Sequence, residues 1–288
     1  MYTIEKLGDR GGEFFLLSSE SHTALIDSGF PCRASFLIDE LKDKLKGRKL
    51  DYIILTHSHY DHAGGSPYFK RTFPESKVVS GKYASYVFTR PGAVKLIKEM
   101  SDFAATLYGI TEYEDLTGEI RTDIEDEDGD VIDMGEFTLL AVPSPGHTKC
   151  SFSYYSPEAK LLIASETLGV LAGYTITPCC LVSYDDTIES IKRASKLGAE
   201  AIFFSHGNLL SGKDACDKFF SDSLKAHEDA REMMKKAKAE GKNKEELISI
   251  LKEHFYTEET KKIQPEKAFY LNAGYIINCM LKENSNES

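Results

Sequence analysis

The chain has 288 residues, 41% of them hydrophobic, and a net charge of −11. That describes an ordinary globular chain with apolar material for one large core plus an appendage. The acidic balance disfavours a reader of phosphate backbones, which needs a basic stripe. No run approaches eighteen unbroken apolar residues, and the start Met1-Tyr2-Thr3-Ile4-Glu5-Lys6 lacks a basic region followed by an apolar core. A small-molecule substrate, no nucleic acid, no membrane and a cytoplasmic location are therefore expected.

In chain order, apolar runs at 14–17, 23–26, 52–55 and 77–80 predict strands, with a helix over 34–45 between the second and third. A helix over 93–107 follows; Val94, Ile97, Phe103, Ala104 and Leu107 suit core packing, with a cover over a functional site as the alternative. Residues 112–133 are acid-rich, with Glu125-Asp126-Glu127-Asp128 at the centre, and read as a solvated loop or hairpin around Gly129 whose spacing does not match a calcium loop. Further strands are predicted at 137–142, 151–155, 161–164 and 201–204, and a helix over 187–197 with Asp186 and Glu189 forming a capping-box-like start.

Past His206 the composition shifts to charged helix formers, and helices are predicted over 224–240, 244–255 and 266–282, punctuated by Gly241 and Gln264-Pro265. The expected division is a first domain over 1–212 and a C-terminal helical extension over 213–288. Leu247, Leu251, Phe269 and Ile277 give the extension apolar surface to bury, against its own sheet, over the substrate entrance or in a homodimer contact. His22, His227 and His254 read as solvated, and 283–288 as a frayed end. The six cysteines, Cys32, Cys150, Cys179, Cys180, Cys216 and Cys279, show neither zinc-ligand spacing nor a secreted framework and read as buried free thiols. For Cys179-Cys180 a vicinal disulfide or a substrate contact is the sharper alternative.

The chemistry concentrates in His57-Ser58-His59-Tyr60-Asp61-His62, directly behind the apolar run Tyr52-Ile53-Ile54-Leu55. Side chains two apart on an extended strand point the same way, so His57 and His59 can meet one ion. Asp61 and His62 follow where the small residues Ala63-Gly64-Gly65 let the chain bend toward a helix, and can reach a second ion. Imidazole and carboxylate without thiolate suit zinc, iron or manganese.

This segment resembles the signature of the metallo-β-lactamase superfamily, H-x-H-x-D-H after a buried strand. Leu25-Ile26-Asp27-Ser28-Gly29, Pro145-Gly146-His147-Thr148 and Ser205-His206-Gly207 are similar to its other segments, in the same order. The resemblance spans about residues 1 to 210 and implies an α/β fold, a four-layer αββα sandwich. It also implies two divalent metals, zinc first with iron or manganese as alternatives: His57, His59 and His147 on one, Asp61, His62 and His206 on the other. One departure stands out, because Glu166 occupies the place where the family carries a bridging Asp. Its extra methylene adds about 1.5 Å of reach, and Glu166 is expected to remain a ligand. The implied activity is hydrolysis by a metal-bound hydroxide, with Asp61 orienting the water, on a thioester, lactone or related acyl ester. Alternatives are a phosphodiesterase acting on a small metabolite, a di-iron redox protein and a non-catalytic ligand sensor. Asp27 is a candidate for orienting a histidine, or simply caps its turn. Tyr60, Tyr174, Lys149 and the loop Gly8-Asp9-Arg10-Gly11-Gly12 are candidates for the pocket wall.

Overall fold

The computed structural model describes residues 2–9, 12–206 and 209–282. Arg10 and Gly11 of the expected wall loop, Gly207 and the end expected to fray, 283–288, lie outside the described residues.

Two six-stranded sheets face each other. The first runs in chain order through β1 (Thr3–Leu7), β2 (Phe14–Ser18), β3 (Thr23–Ile26), β4 (Tyr52–Leu55), β5 (Lys77–Gly81) and β6 (Ile124–Asp126). β1 to β3 are antiparallel, and β3 to β6 are parallel. The second sheet contains β7 (Val131–Asp133), β8 (Thr138–Pro143), β9 (Phe152–Ser156) and β10 (Leu161–Ala164). A small hairpin of β11 (Val170–Ala172) and β12 (Thr175–Thr177) intervenes before β13 (Ala201–Phe204) and β14 (Leu209–Ser211) complete it, in the order β14-β13-β10-β9-β8-β7.

Alternation along each strand builds three layers of core. Phe15, Leu17, Ile26, Ile54 and Val79 point between the sheets, where they meet Leu139, Tyr154, Ile163 and Phe203. Their neighbours Leu16, Leu25, Ile53 and Leu55 point outward onto α1 (Pro31–Leu45). α2 (Tyr60–Ala63) and α3 (Ser66–Thr72) complete the connection to β5, and Phe69 of α3 joins this outer layer. Both strand faces are covered, so these strands read as unbroken apolar runs. α4 (Lys82–Phe88) and α5 (Pro91–Leu107) follow β5. On the far side, Val142, Leu162, Ile202 and Phe204 pack under α6 (Tyr184–Ser195) and α7 (Lys213–Ala239), through Ile191, Phe219 and Phe220. This is the expected αββα sandwich.

The extension continues with α8 (Lys244–Phe255), α9 (Glu258–Ile263) and α10 (Glu266–Leu281). α7, α8 and α10 share a separate core of Met234, Leu247, Leu251, Phe269, Ile276 and Met280. Several local readings change, among them the start of α7, which begins at Lys213 rather than at 224. The acidic stretch is a crossover, since β6 edges the first sheet and β7 the second, with Gly129 (φ 83°) in the turn between them. α6 starts one turn early, capped by the Ser183 hydroxyl, which accepts from the Asp186 N–H. His227 is fully buried rather than solvated, because it lies on the face of α7 turned toward the sandwich; His22 is half-buried beside the Tyr52 ring, and His254 is exposed. All six cysteines are buried free thiols.

Candidate metal centre

The site forms at the ends of β4, β8, β10 and β13. Behind β4 the chain extends through His57 and His59 and turns into α2, which presents Asp61 and His62. The turn must pass close to the segment after β3: a Cβ on Gly65 would stand 2.0 Å from the Ser28 carbonyl oxygen. His147 follows Gly146 (φ 136°), where a Cβ would meet the Thr187 hydroxyl at 2.2 Å. Glu166 begins a single 3-10 turn after β10, and His206 lies just past β13.

These residues, spread over the whole sandwich, converge into two groups. His57, His59 and His147 offer one donor atom each within 4.8 Å of one another, and so do Asp61, His62, Glu166 and His206. The Glu166 carboxylate lies between the groups. Its Oε1 is 2.8 Å from His62 Nε2, 3.0 Å from His206 Nε2 and 3.9 Å from His57 Nε2, while its Oε2 is 3.5 Å from His147 Nε2. His57 Nε2 and Asp61 Oδ1 are buried without a hydrogen-bond partner among the described residues, and His62 Nε2 has only the Glu166 carboxylate beside it. Such buried orphan atoms are costly. Their convergence as imidazole nitrogen and carboxylate oxygen fits a divalent ion, so each group could hold one.

For four of the five imidazoles the nitrogen turned away from this centre also has a neighbour. Asp27 Oδ2 is 2.8 Å from His62 Nδ1, and Asp27 Oδ1 accepts from the Thr56 N–H at 2.8 Å and the Thr56 hydroxyl at 2.9 Å. The Thr56 hydroxyl in turn reaches His57 Nδ1 at 3.1 Å. His147 Nδ1 donates to the Cys179 carbonyl at 3.0 Å. Buried Glu13 has its Oε2 3.6 Å from His206 Nδ1. Partners of this kind fix tautomer and ring orientation and raise ligand basicity. Burial alone would push the Glu13 carboxyl up, but His206 outweighs it and holds the group below its ordinary value.

All seven expected metal-site residues meet here, and Asp27 takes the orienting position rather than only capping its turn. Glu13 carried no signal, since its partner is far along the chain and no motif marks it. Cys179 is a second omission: its Sγ is 3.5 Å from Glu166 Oε2 and near His147. Only its place after Pro178 hinted at contact with the site. His227 stands behind it, accepting the Cys179 N–H on Nε2 at 3.3 Å and donating from Nδ1 to the Ser223 carbonyl at 2.8 Å. Tyr60 lines the cavity above the site, and burial pushes its phenol up, so it stays neutral. Tyr174 is fully exposed and Lys149 exposed, neither of them lining the cavity.

The cavity has a volume of about 600 Å³. Its floor is His59, Asp61, His147, Glu166 and His206; its walls come from α4 and α5 on one side and from α9, α10 and the 177–182 segment on the other. α5 thus serves both expected roles, burying Ile97 and Ala104 while turning Leu96 and Met100 to the cavity.

Paired six-stranded sheets sandwiched by helices, with a histidine and carboxylate cluster at the strand ends, define a metallo-hydrolase architecture. The family model of the metallo-beta-lactamase superfamily matches residues 7–206, and the chain belongs to that superfamily of metal-dependent hydrolases. It is 26% identical over 203 residues to the metallo-beta-lactamase fold-containing protein ST1585 of Sulfurisphaera tokodaii, covering 69% of this chain and 74% of that one. It is 29% identical over 150 residues to the probable hydroxyacylglutathione hydrolase glo2 of Schizosaccharomyces pombe, covering 51% of this chain and 44% of that one. Among solved structures, a beta-lactamase domain protein from Burkholderia ambifaria superposes with a TM-score of 0.67 at 16% identity, covering 97% of this chain and 84% of that one. Among the described residues, no helix is long and apolar enough to cross a membrane.

Proposed function

We propose that the protein is a two-metal hydrolase of acyl compounds: esters, thioesters or lactones. His57, His59 and His147 would hold one ion, Asp61, His62 and His206 the other, and Glu166 would lie between them. The position of Glu166 carries this reading, because its two oxygens face different groups of donors. Glu166 begins a 3-10 turn, and its longer side chain would reach the space between the two groups from there. Bound divalent ions supply water activated near neutral pH and polarise the bond under attack. Asp61, whose Oδ1 is buried and unpaired, would orient that water and take its proton. Asp27, Thr56 and the Cys179 carbonyl would hold His62, His57 and His147 in the tautomers that keep their inner nitrogens free, with the Glu13 carboxylate beside His206. The likeness to the probable hydroxyacylglutathione hydrolase supports thioesters within this class.

Plasma mass spectrometry of the protein purified without added metal tests the assignment. About two equivalents of zinc or manganese are expected, with turnover on ester or thioester panels and none on phosphodiesters. Two of iron would favour redox chemistry, and a single equivalent rising to two in Glu166→Asp would end the proposed bridge.

A further inference from the structure

Resting on the acyl-hydrolase reading above, we propose that the substrate carries an uncharged, extended apolar tail, and that the C-terminal helices select for it. The floor and the walls of the cavity differ in kind. Every carboxylate and imidazole of the lining belongs to the metal centre, whereas the walls are Leu96, Met100, Leu181, Ile263, Leu271 and similar side chains, relieved only by uncharged polar groups such as Gln264 and Asn272. Among the described residues, no lysine or arginine lines it. Lys267, on α10, has its ammonium 4.2 Å from the centre of the Phe103 ring on α5, bridging the two walls from outside the lining.

That charge pattern discriminates between acyl compounds. A glutathione thioester brings carboxylates and a coenzyme A thioester brings phosphates, and away from the floor either anion would be desolvated beside apolar walls with no lysine or arginine among the described lining residues to receive it. A hydrocarbon tail loses nothing there and gains with each methylene removed from water. The volume of about 600 Å³ also exceeds what an acetyl or lactoyl group can fill. One wall is α9 and α10, beyond the match to the family at residues 7–206, so the selecting surface is added to the shared frame.

The test uses the metal-loaded full-length protein with p-nitrophenyl acetate, hexanoate and decanoate, and with S-lactoylglutathione as the anionic thioester. kcat/KM should climb about fourfold per methylene until the tail fills the cavity, and the decanoate should outrun lactoylglutathione. Leu96→Glu and Leu271→Glu place a carboxylate in opposite walls at positions 57% and 46% exposed, where the fold tolerates it. Each should cut the decanoate-to-acetate ratio by about 10-fold or more. Calorimetric titration of 1-decanol, which has no bond to cleave, reads the cavity without catalysis: binding is expected with or without metal, and loss of it in both variants. Decanol binding without cleavage of any ester or thioester would remove the acyl-hydrolase reading and keep the apolar ligand. Esters cleaved with no dependence on chain length, preference for lactoylglutathione, or failure to bind decanol overturns the inference.

Discussion

At Asp27 the backbone is left-handed, with φ at 61°. That conformation is strained for most residues and, among those with a side chain, is tolerated best by Asn and Asp. Strain kept at a residue whose carboxylate spans Thr56 and His62 marks a position held for its side chain. Asp27→Asn preserves shape and backbone preference, but its Oδ1 is needed by the Thr56 N–H, so the amide NH2 would face His62 Nδ1. His62 would then carry its proton on Nε2, the atom proposed to bind an ion. Metal affinity should fall about 10- to 100-fold in chelator competition, while thermal unfolding of the metal-free protein stays near wild type; unchanged affinity would remove Asp27 from the orienting role. The motif exposes the histidines because strand periodicity fixes their direction locally. It leaves Asp27 open between two roles and hides Glu13, since orienting contacts join residues that only packing brings together.

α7 is the element whose role the sequence concealed. Its charged composition suggests a solvated helix, yet His227 is buried and is linked through Cys179 to His147. Burial depresses the imidazole to about 4, so it is neutral at pH 7. Its Nδ1–H is committed to Ser223, leaving Nε2 as the acceptor the Cys179 N–H requires. In His227→Leu that N–H is left unpaired, at a cost of about 1 to 3 kcal/mol, and the strap holding His147 loosens. A lower melting temperature and weaker metal binding are expected, with His227→Gln, which retains an acceptor, recovering part of both. The pH dependence has a definite sign. A histidine depressed in the folded state contributes stability above its unfolded value of about 6.5, lost as pH falls toward 4. Denaturant midpoints of wild type should therefore drop more steeply between pH 7 and 5 than those of His227→Leu, and parallel curves would refute the neutral buried imidazole. The longer helices and the inner strands were legible from their apolar periodicity. The edge strands β1, β6, β7 and β14 were not, because edge strands carry polar residues and take their order from a neighbour.

Across the whole molecule, a buried carboxyl lies where the crossover joins the two sheets. Asp126, at the crossover, is 2% exposed and is pushed up to about 6, raised mainly by burial and lowered less by the adjacent Tyr154 hydroxyl. A carboxyl raised in the folded state binds its proton more tightly there than when unfolded. Between pH about 4 and 6 the folded form keeps that proton, so this contribution to stability falls as pH rises through the window and stays lost above it. Asp126→Asn should raise the unfolding midpoint at pH 7.5 and remove that decline; a midpoint lowered equally at all pH values would mean that the carboxylate is needed as an acceptor. The acidic run containing Asp126 reads as solvent-facing because composition does not record which sheet edge closes over it. By itself, the sequence determined the candidate donors of a metal centre and the strands that carry them, since residue chemistry and local periodicity set both. Only the tertiary structure decided which carboxylates orient those donors, that α7 braces the site and that α9 and α10 wall an apolar cavity, because these depend on surfaces distant in the chain meeting when the cores are buried.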